Sequence, residues 1–253
     1  MSSDGATALH SACENKSLEI VQFLVEEWQA DVNAVTNHGS TPLHWVIDRT
    51  CTGSSTKDQV DMVRYFVTQC SVDVNATNQR GMTPLHQASV GSHLDIIQCL
   101  VEQGHANVRA VDNNGKTPLH WAVEERELDV IQYLVEHGHA DMTAVDNEGQ
   151  TALHSACGRC DAIERGRFSN LRLTDVDLVQ YLVEQCHVDM MARNNRGETA
   201  LHVACRKGKL DMVRYLVGQC RMNLSVPANN GWTALHFARY LGLVQFLVEQ
   251  WDF

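Results

Sequence analysis

Residues 117–150 read TPLHWAVEERELDVIQYLVEHGHADMTAVDNEGQ, and looser copies of this stretch recur along the 253-residue chain. Its opening pattern, Thr-x-Leu-His, begins at seven positions, which are Thr7, Thr41, Thr83, Thr117, Thr151, Thr199 and Thr233. Four of the six intervals between them are 34 residues long, and the other two are 42 and 48. Self-similarity at one period indicates a repeat protein, so features shared by all copies are expected to build the fold.

Each copy has the pattern of two short helices joined by turns. A turn containing Asn or Asp with Gly supplies backbone positions that need a positive φ. The threonine that follows is a good helix N-cap, and in three copies proline occupies the first helical position. The second helix of the quoted copy shows one apolar stripe, Leu128, Ile131, Leu134 and Val135. Neither helix can bury its apolar face within 34 residues, so the copies are expected to stack.

These residues resemble ankyrin repeats, in particular Thr-Pro-Leu-His-Trp-Ala at 117–122, Leu-Asp-Val-Ile-Gln-Tyr-Leu-Val at 128–135 and Ala-Asp-Val-Asn-Ala at 30–34. The resemblance covers essentially all of the chain outside two insertions. It implies an all-α fold, a solenoid of helix-turn-helix units with short β-hairpin-like turns between repeats. The 34-residue period exceeds the usual 33, and the extra residue falls after the second helix. The family's loop geometry at that point is therefore not carried over.

The spacing predicts a single array over residues 1–253. Its repeats lie near 4–37, 38–79, 80–113, 114–147, 148–195, 196–229 and 230–253. The insertions, 49–59 and 158–175, lie between the first and second helices of their repeats and are expected to be loops. The second insertion contains four arginines and a phenylalanine in an acidic chain, so it is a candidate specificity element as well as a tolerated surface loop: Arg159, Arg165, Arg167, Phe168 and Arg172.

Charge and composition narrow the classes of partner and compartment. The net charge of −11 opposes general binding of nucleic acid and favours encounter with a protein that carries a basic segment. No apolar run reaches the roughly 18 residues of a membrane helix, so membrane insertion is not expected. The first residues lack a secretory signal. We therefore expect a cytoplasmic protein, with the nucleus as the alternative, whose nine cysteines are reduced.

The seven histidines could suggest a row of metal sites. Packed helices lie roughly 8–10 Å apart, whereas zinc–nitrogen bonds are about 2 Å, so histidines of successive copies cannot share an ion. The resemblance implies that the threonine and histidine are structural.

One cluster, His154, Cys157 and Cys160, has ligand-like H-x-x-C-x-x-C spacing and supports an alternative function as a metal- or redox-responsive switch. Motifs for phosphate binding or hydrolysis are lacking, so we predict no enzyme, catalytic residue, cofactor or metal.

The resemblance assigns partner binding to a concave groove lined by hairpin tips and first helices. Positions that vary between copies should then select the partner, and tryptophan is a frequent interface anchor. The predicted groove residues are Trp45, Asp48, Arg80, Met82, Gln87, Lys116, Trp121, Glu124, Glu125, Arg159, Arg206, Lys207 and Trp232. Met82 and Trp232 are expected to be exposed at hairpin tips. The alternative for Trp45 and Trp121 is packing on the adjacent first helix.

The sequence therefore predicts a non-catalytic scaffold or adaptor that binds another protein or a peptide. A passive spacer within a larger protein is the alternative. A monomer is expected, with an end-to-end dimer as the alternative, because Leu243, Phe246, Leu247 and Trp251 would face solvent or a missing neighbour. The resemblance also suggests hydroxylation of link asparagines, for which Asn33 and Asn75 are the matching positions.

Overall fold

The computed structural model describes residues 3–47, 56–158 and 174–251. All regular elements within these ranges are helical and none is a strand, which confirms the predicted all-α class. The chain divides into two compact units. Unit 1 comprises Met1–Glu125 with Asp129–Ala140, and unit 2 comprises Arg126–Leu128 with Asp141–Phe253. The single seven-repeat array stays a prediction.

Unit 1 is built from helix pairs. Its helices are α1 (Ala8–Glu14), α2 (Leu18–Glu26), α3 (Pro42–Ile47), α4 (Thr56–Gln69), α5 (Pro84–Gly91), α6 (Leu94–Gln98) with a π-helical turn (Cys99–Gln103), α7 (Pro118–Glu125) and most of α8 (Leu128–Glu136). The first helices pack side by side in the order α1, α3, α5, α7, and α4 packs between α2 and α6. Each first helix therefore covers the next, as the stacking argument requires.

Unit 2 repeats this arrangement. Its helices are α9 (Ala152–Gly158), α10 (Asp175–Glu184), α11 (Ala200–Lys207), α12 (Leu210–Arg214) with a π-helical turn (Tyr215–Gln219), α13 (Ala234–Phe237) and α14 (Leu241–Trp251). Helices α9, α11 and α13 pack in that order, and α10 packs on α12. In the described part of the chain, no helix has the length and hydropathy needed to cross a membrane.

The recurring Thr and His side chains start each first helix. In all seven copies the threonine Oγ1 lies 2.8–3.0 Å from the histidine Nδ1, which also accepts the threonine backbone N–H. This is a capping box in which histidine replaces the usual Glu or Gln. Because Nδ1 accepts, the proton lies on Nε2 and is available to a second partner.

That second partner is a carbonyl oxygen of the next repeat. His44 Nε2 donates to Met82 O and His86 Nε2 to Lys116 O, both at 3.0 Å. The equivalent bonds, both at 3.0 Å, are His10 to Ser40 and His154 to Glu198. His202 differs, because its Nε2 donates at 2.9 Å to Val226 O in the link that precedes the last hairpin. The first four imidazoles therefore tie their own helix starts to the following hairpin.

The end of the second helix explains the 34-residue period. The N–H of Gly104 bonds to Cys99 O, one residue wider than an α-helical turn, and Ala106 N–H then bonds to Leu100 O. Gly104 keeps a helical φ of −89°, while the left-handed position moves one residue on, to His105 at φ 52°. The same left-handed position is occupied by Gln29, His139, His187 and Arg221. The extra residue is thus absorbed in a widened helix end, and the left-handed residue follows one position later.

Both predicted loops are partly helical. Residues 56–59 form the first turn of α4, where Gln59 is buried and donates to Val46 O at 3.0 Å. This contact satisfies a carbonyl near the end of α3 and joins the first turn of α4 to that helix. In the second insertion Thr174 caps α10 and Asp175 is its first residue. The predicted arginines and Phe168 of that insertion lie outside the described residues.

The last repeat differs from expectation. Leu243 and Leu247 are buried, not solvent-facing as the sequence suggested. They form the inner stripe of α14, which packs against α13. The ring of Phe246 is half-buried and lies 5.8 Å from the Arg214 guanidinium. Most of the apolar surface that suggested a dimer is therefore used within unit 2.

Candidate functional site: the hairpin and first-helix surface

The hairpins that precede the first helices are fixed by one short polar side chain. Asp112 Oδ1 accepts the backbone N–H groups of Asn114 and Lys116, at 2.8 and 2.9 Å. Gly115 follows at φ 75°, a conformation that favours glycine. Asn78 and Asn194 hold their hairpins in the same way. This is why the Asn/Asp–Gly turns of the sequence form tight hairpins.

Neighbouring hairpins are linked tip to tip. In unit 1 Gln79 N–H donates to His38 O at 2.9 Å, and Asn113 N–H donates to Arg80 O at 3.0 Å. In unit 2 the backbone N–H of Asn195 donates to Glu148 O in the same way. The side chains of His38 and Arg80 are exposed along this row. Within each unit the backbone thus holds neighbouring tips together, and their side chains differ from repeat to repeat.

The surface behind the tips depends on four positions of the repeat. They are five residues and one residue before the threonine, and four and seven residues after it. In the fourth repeat these are Asp112, Lys116, Trp121 and Glu124, which we call the Trp121 cluster. Lys116 Nζ lies 2.5 Å from Glu124 Oε1 and 4.8 Å from the Trp121 ring centroid. Trp121 Nε1 donates to the buried Asp112 Oδ2 at 3.1 Å. The charged and polar side chains of the Trp121 cluster are therefore bonded to one another.

Unit 2 contains a version with reversed charges. At the same positions stand Asn194, Glu198, Val203 and Arg206, which we call the Glu198 cluster. Arg206 lies 3.3 Å from Glu198 Oε2, which also accepts from Asn194 Nδ2 at 3.1 Å. Between these two repeats the ion pair is thus reversed: hairpin Lys with helix Glu becomes hairpin Glu with helix Arg.

The third repeat is open at this place. Its four residues are Asn78, Met82, Gln87 and Val90, and with Ile47 of α3 they line a cavity of about 350 Å³. We call this cavity the Gln87 slot. Met82 and Val90 have aliphatic side chains that cannot form an ion pair across it. His38 and Arg80 lie at its rim.

Two other repeats have an aromatic ring at the position of Gln87. Trp45 packs edge-on against His10, with ring centroids 5.3 Å apart. Phe237 packs in the same way against His202 at 5.6 Å and also contacts Trp232 at 5.5 Å. The Gln87 slot is therefore a place where the third repeat lacks the ring that these repeats supply themselves.

Comparison with known proteins agrees with this architecture. The family described as "Ankyrin repeats (3 copies)" matches residues 1–56, 51–146 and 171–252. This chain belongs to the ankyrin repeat family. The ankyrin repeat domain of Bcl-3, described as a unique member of the IkappaB protein family, is 27% identical with a TM-score of 0.75. The alignment covers 97% of this chain and 99% of that domain.

Two further similar proteins have either a lower sequence identity or a shorter matching stretch. The ankyrin repeat domain of human ASB11 is similar in fold, with a TM-score of 0.75 and 21% identity over 97% of this chain and 98% of that one. Ankyrin repeat domain-containing protein 53 of Macaca fascicularis is 46% identical over 48 residues. That match covers 19% of this chain and only 10% of the relative.

The predicted groove residues of this ankyrin repeat protein have several different environments. Met82 is only 4% exposed, so its expected exposure at a tip is wrong, because its side chain turns inward to the floor of the slot. Trp232 is 48% exposed, as expected. Glu125 and Lys207 end their helices half-buried. Asp48 and Arg159 lie outside the described residues.

The two link asparagines also bond within the ankyrin stack. Asn33 Oδ1 accepts the N–H of Asp73 at 2.8 Å, and its Nδ2 donates to Ser71 O at 3.0 Å. Asn75 Oδ1 accepts the N–H of Asn107 at 2.8 Å. Both residues are exposed. Their amides join the extended link of one repeat to the link of the next.

The cluster His154, Cys157 and Cys160 has little capacity for a metal where the structure describes it. Both His154 ring nitrogens are used, by Thr151 and by Glu198 O. Burial raises the pKa of Cys157 to about 12, which disfavours the thiolate that binds metals. Cys160 lies outside the described residues. Within 3–47, 56–158 and 174–251, His, Cys, Asp and Glu do not form any group of three suited to a metal ion.

Proposed function

We propose that this protein is a non-catalytic adaptor that binds another protein or a peptide on the hairpin and first-helix surface of unit 1. Ankyrin repeats are generally protein–protein interaction modules. The observation that carries the proposal for this chain is the Gln87 slot beside the exposed tips His38 and Arg80. It is an open concave site on a rigid, hydrogen-bonded scaffold.

The polar side chains of the repeats support a binding role over a catalytic one. The imidazoles that could act as general bases bond at Nδ1 to threonine and, in five copies, at Nε2 to a carbonyl. Burial lowers the pKa of His44 to about 4, which keeps this ring neutral and structural. The family is typically non-enzymatic, in line with this use of its polar groups.

The fixed hairpins also favour affinity. The tips are held by backbone bonds to their neighbours, so a partner does not have to order them on binding. The net charge of −11 favours encounter with a protein of net positive charge, because long-range attraction raises the association rate. This long-range effect concerns the whole chain and is separate from the local charge at the slot.

The experiment is affinity capture from cell extract with three baits, followed by quantitative mass spectrometry. The baits are the wild-type chain, Arg80→Glu at an exposed tip, and Arg64→Glu, which makes the same charge change on the exposed surface of α4. We expect proteins enriched by the wild type to fall about fivefold or more with Arg80→Glu and to persist with Arg64→Glu. Equal enrichment by all three baits, or no enrichment by the wild type, would contradict the proposal.

A further inference from the structure

The Gln87 slot can be compared directly with the next repeat of the same unit. The residues one before the threonine and seven after it are Lys116 and Glu124 in the closed cluster, but Met82 and Val90 at the slot. The residue four after the threonine is Trp121 in the cluster and Gln87 at the slot. The residue five before the threonine differs as well, Asp112 in the cluster and Asn78 at the slot, so the open and the closed place differ at all four positions.

The contents of the equivalent positions indicate what the slot can hold. Trp45, Trp121 and Phe237 each place an aromatic ring at the register position of Gln87. The cavity of about 350 Å³ is near the lower end of the range for ligand pockets, a size that suits a single side chain. Its Ile47, Met82 and Val90 side chains provide an apolar wall for such a ring.

Gln87 itself carries an unused acceptor. Its Oε1 is buried and has no hydrogen-bond partner in the part of the chain that the structure describes. A buried carbonyl oxygen without a donor is unfavourable, so a ligand in the slot that supplies an N–H or O–H gains by bonding to it once the Gln87 side chain turns this oxygen towards the slot. Of phenylalanine, tyrosine and tryptophan, the two whose side chains carry such a donor are tyrosine and tryptophan.

The rim adds a positive charge. Arg80 is exposed, and within the described ranges its guanidinium makes no ion pair or hydrogen bond. Arginine pairs well with a planar carboxylate, which it can hold through two hydrogen bonds. In unit 2 the equivalent tip, Arg196, already has such a partner in Glu148 at 2.7 Å. Arg80 is therefore available for a carboxylate of a partner.

We propose that the Gln87 slot receives one tryptophan or tyrosine side chain of a partner protein, with a carboxylate next to it in the partner's chain. The ring lies against Ile47, Met82 and Val90, its N–H or O–H donates to Gln87 Oε1, and the carboxylate pairs with Arg80. This inference rests on the proposed function, since it describes the part of the partner that enters the same site.

The test uses small probes of this chemistry. N-acetyl-tryptophan carries both the indole and an adjacent carboxylate, N-acetyl-tryptophanamide lacks the carboxylate, and N-acetyl-alanine lacks the ring. Each is titrated into the full chain while the methyl NMR signals of Met82 and Val90 are followed. We expect N-acetyl-tryptophan to shift these signals with a Kd on the order of 1 mM, and N-acetyl-alanine to leave them unchanged.

Variants identify the site of binding. Gln87→Trp gives the third repeat the ring of its neighbours and should weaken N-acetyl-tryptophan binding by about tenfold or more. Gln87→Leu is a smaller change that removes the acceptor, and circular dichroism checks that both variants are folded. Arg80→Gln should abolish the preference for N-acetyl-tryptophan over its amide, which we expect to be about threefold in the wild type. Unchanged binding in folded Gln87→Trp, or shifts confined to other methyl groups, would overturn the inference.

The capture experiment distinguishes a failure of the proposed adaptor function from a failure of the proposed slot occupant. If Gln87→Trp used as bait keeps the proteins that Arg80→Glu loses, the surface binds a partner but the slot does not receive its anchor. If the wild type captures nothing while N-acetyl-tryptophan still binds at Met82 and Val90, the adaptor function fails and the slot's preference for an aromatic acid stands.

Discussion

The Gln87 slot and the Trp121 cluster lie on consecutive repeats of one unit and share almost every structural feature. Each is bounded by a capped first helix, a hairpin held by one Asn or Asp side chain, and a carbonyl tied to the preceding histidine. One is an open cavity, and the other is filled by an ion pair and an indole. The difference teaches that, at this place, the shared residues build the frame and the unshared residues decide whether it has room for a partner.

Acidification should affect both regions together and give the largest effect. An unfolded histidine has a pKa of 6.5, whereas burial lowers the pKa of His44 to about 4 and also lowers that of His86. The unfolded chain therefore binds more protons below pH 6.5, so the free energy of unfolding falls as pH drops from 6.5 towards 4. We expect a loss of about 1.4 kcal/mol per pH unit from His44 over this range, and a further loss of the same sign from His86. Urea unfolding at pH 7.5, 6.5 and 5.5 measures it.

These two histidines bond to the carbonyl oxygens of Met82 and Lys116, which are hairpin residues of the slot and of the cluster. Histidine NMR titration provides the control, since His44 should remain neutral in the folded chain at pH 5.5. Stability that stays flat down to pH 5, or a His44 ring that titrates near 6.5, would show that these imidazoles do not hold the two regions.

Matched alanine variants should separate the two regions. Trp121→Ala removes a half-buried indole and deprives the buried Asp112 Oδ2 of its donor, so we expect a loss of about 2–4 kcal/mol in the free energy of unfolding. Gln87→Ala removes a group whose buried oxygen has no donor, so the loss should stay below about 1 kcal/mol. Urea unfolding of both variants at pH 7.5 is the measurement. Similar losses in the two variants would mean that the slot is as tightly packed as the cluster.

The reversed ion pair of unit 2 provides the smallest and most specific test. Lys116→Glu places a carboxylate opposite Glu124 and should cost about 1 kcal/mol. Adding Glu124→Arg copies the Glu198–Arg206 pair and should restore most of this loss. A double-mutant cycle by urea unfolding measures the coupling. If the double variant is no more stable than the single one, the two clusters are not equivalent.

The sequence predicted the repeat frame well because its signal recurs. Thr117 and His120 stand in the same relation as the other six pairs, and the same capping geometry appears in every copy. Local patterns of this kind are decided within a few residues of the chain.

Contacts across the hairpin were not predictable in the same way. Trp121 was expected either to bind a partner or to pack on the adjacent first helix, yet its indole bonds to Asp112 nine residues earlier. Met82 was expected to be exposed, and the cavity beside it was missed. The register did contain a signal, since Gln87 and Val90 stand where the next repeat has Trp121 and Glu124. This signal can be interpreted only when one knows that the hairpin and first-helix positions face one another in the structure.

The sequence by itself determined the repeat and the helix pairs, because both depend on short-range spacing that recurs in every copy. The structural role of the threonines and histidines followed from the family resemblance. The tertiary structure decided which variable side chains bond to each other and which leave space. That outcome depends on distances of a few ångströms between a hairpin and a helix, and the same frame closes around Lys116 and Glu124 but stays open around Met82 and Val90.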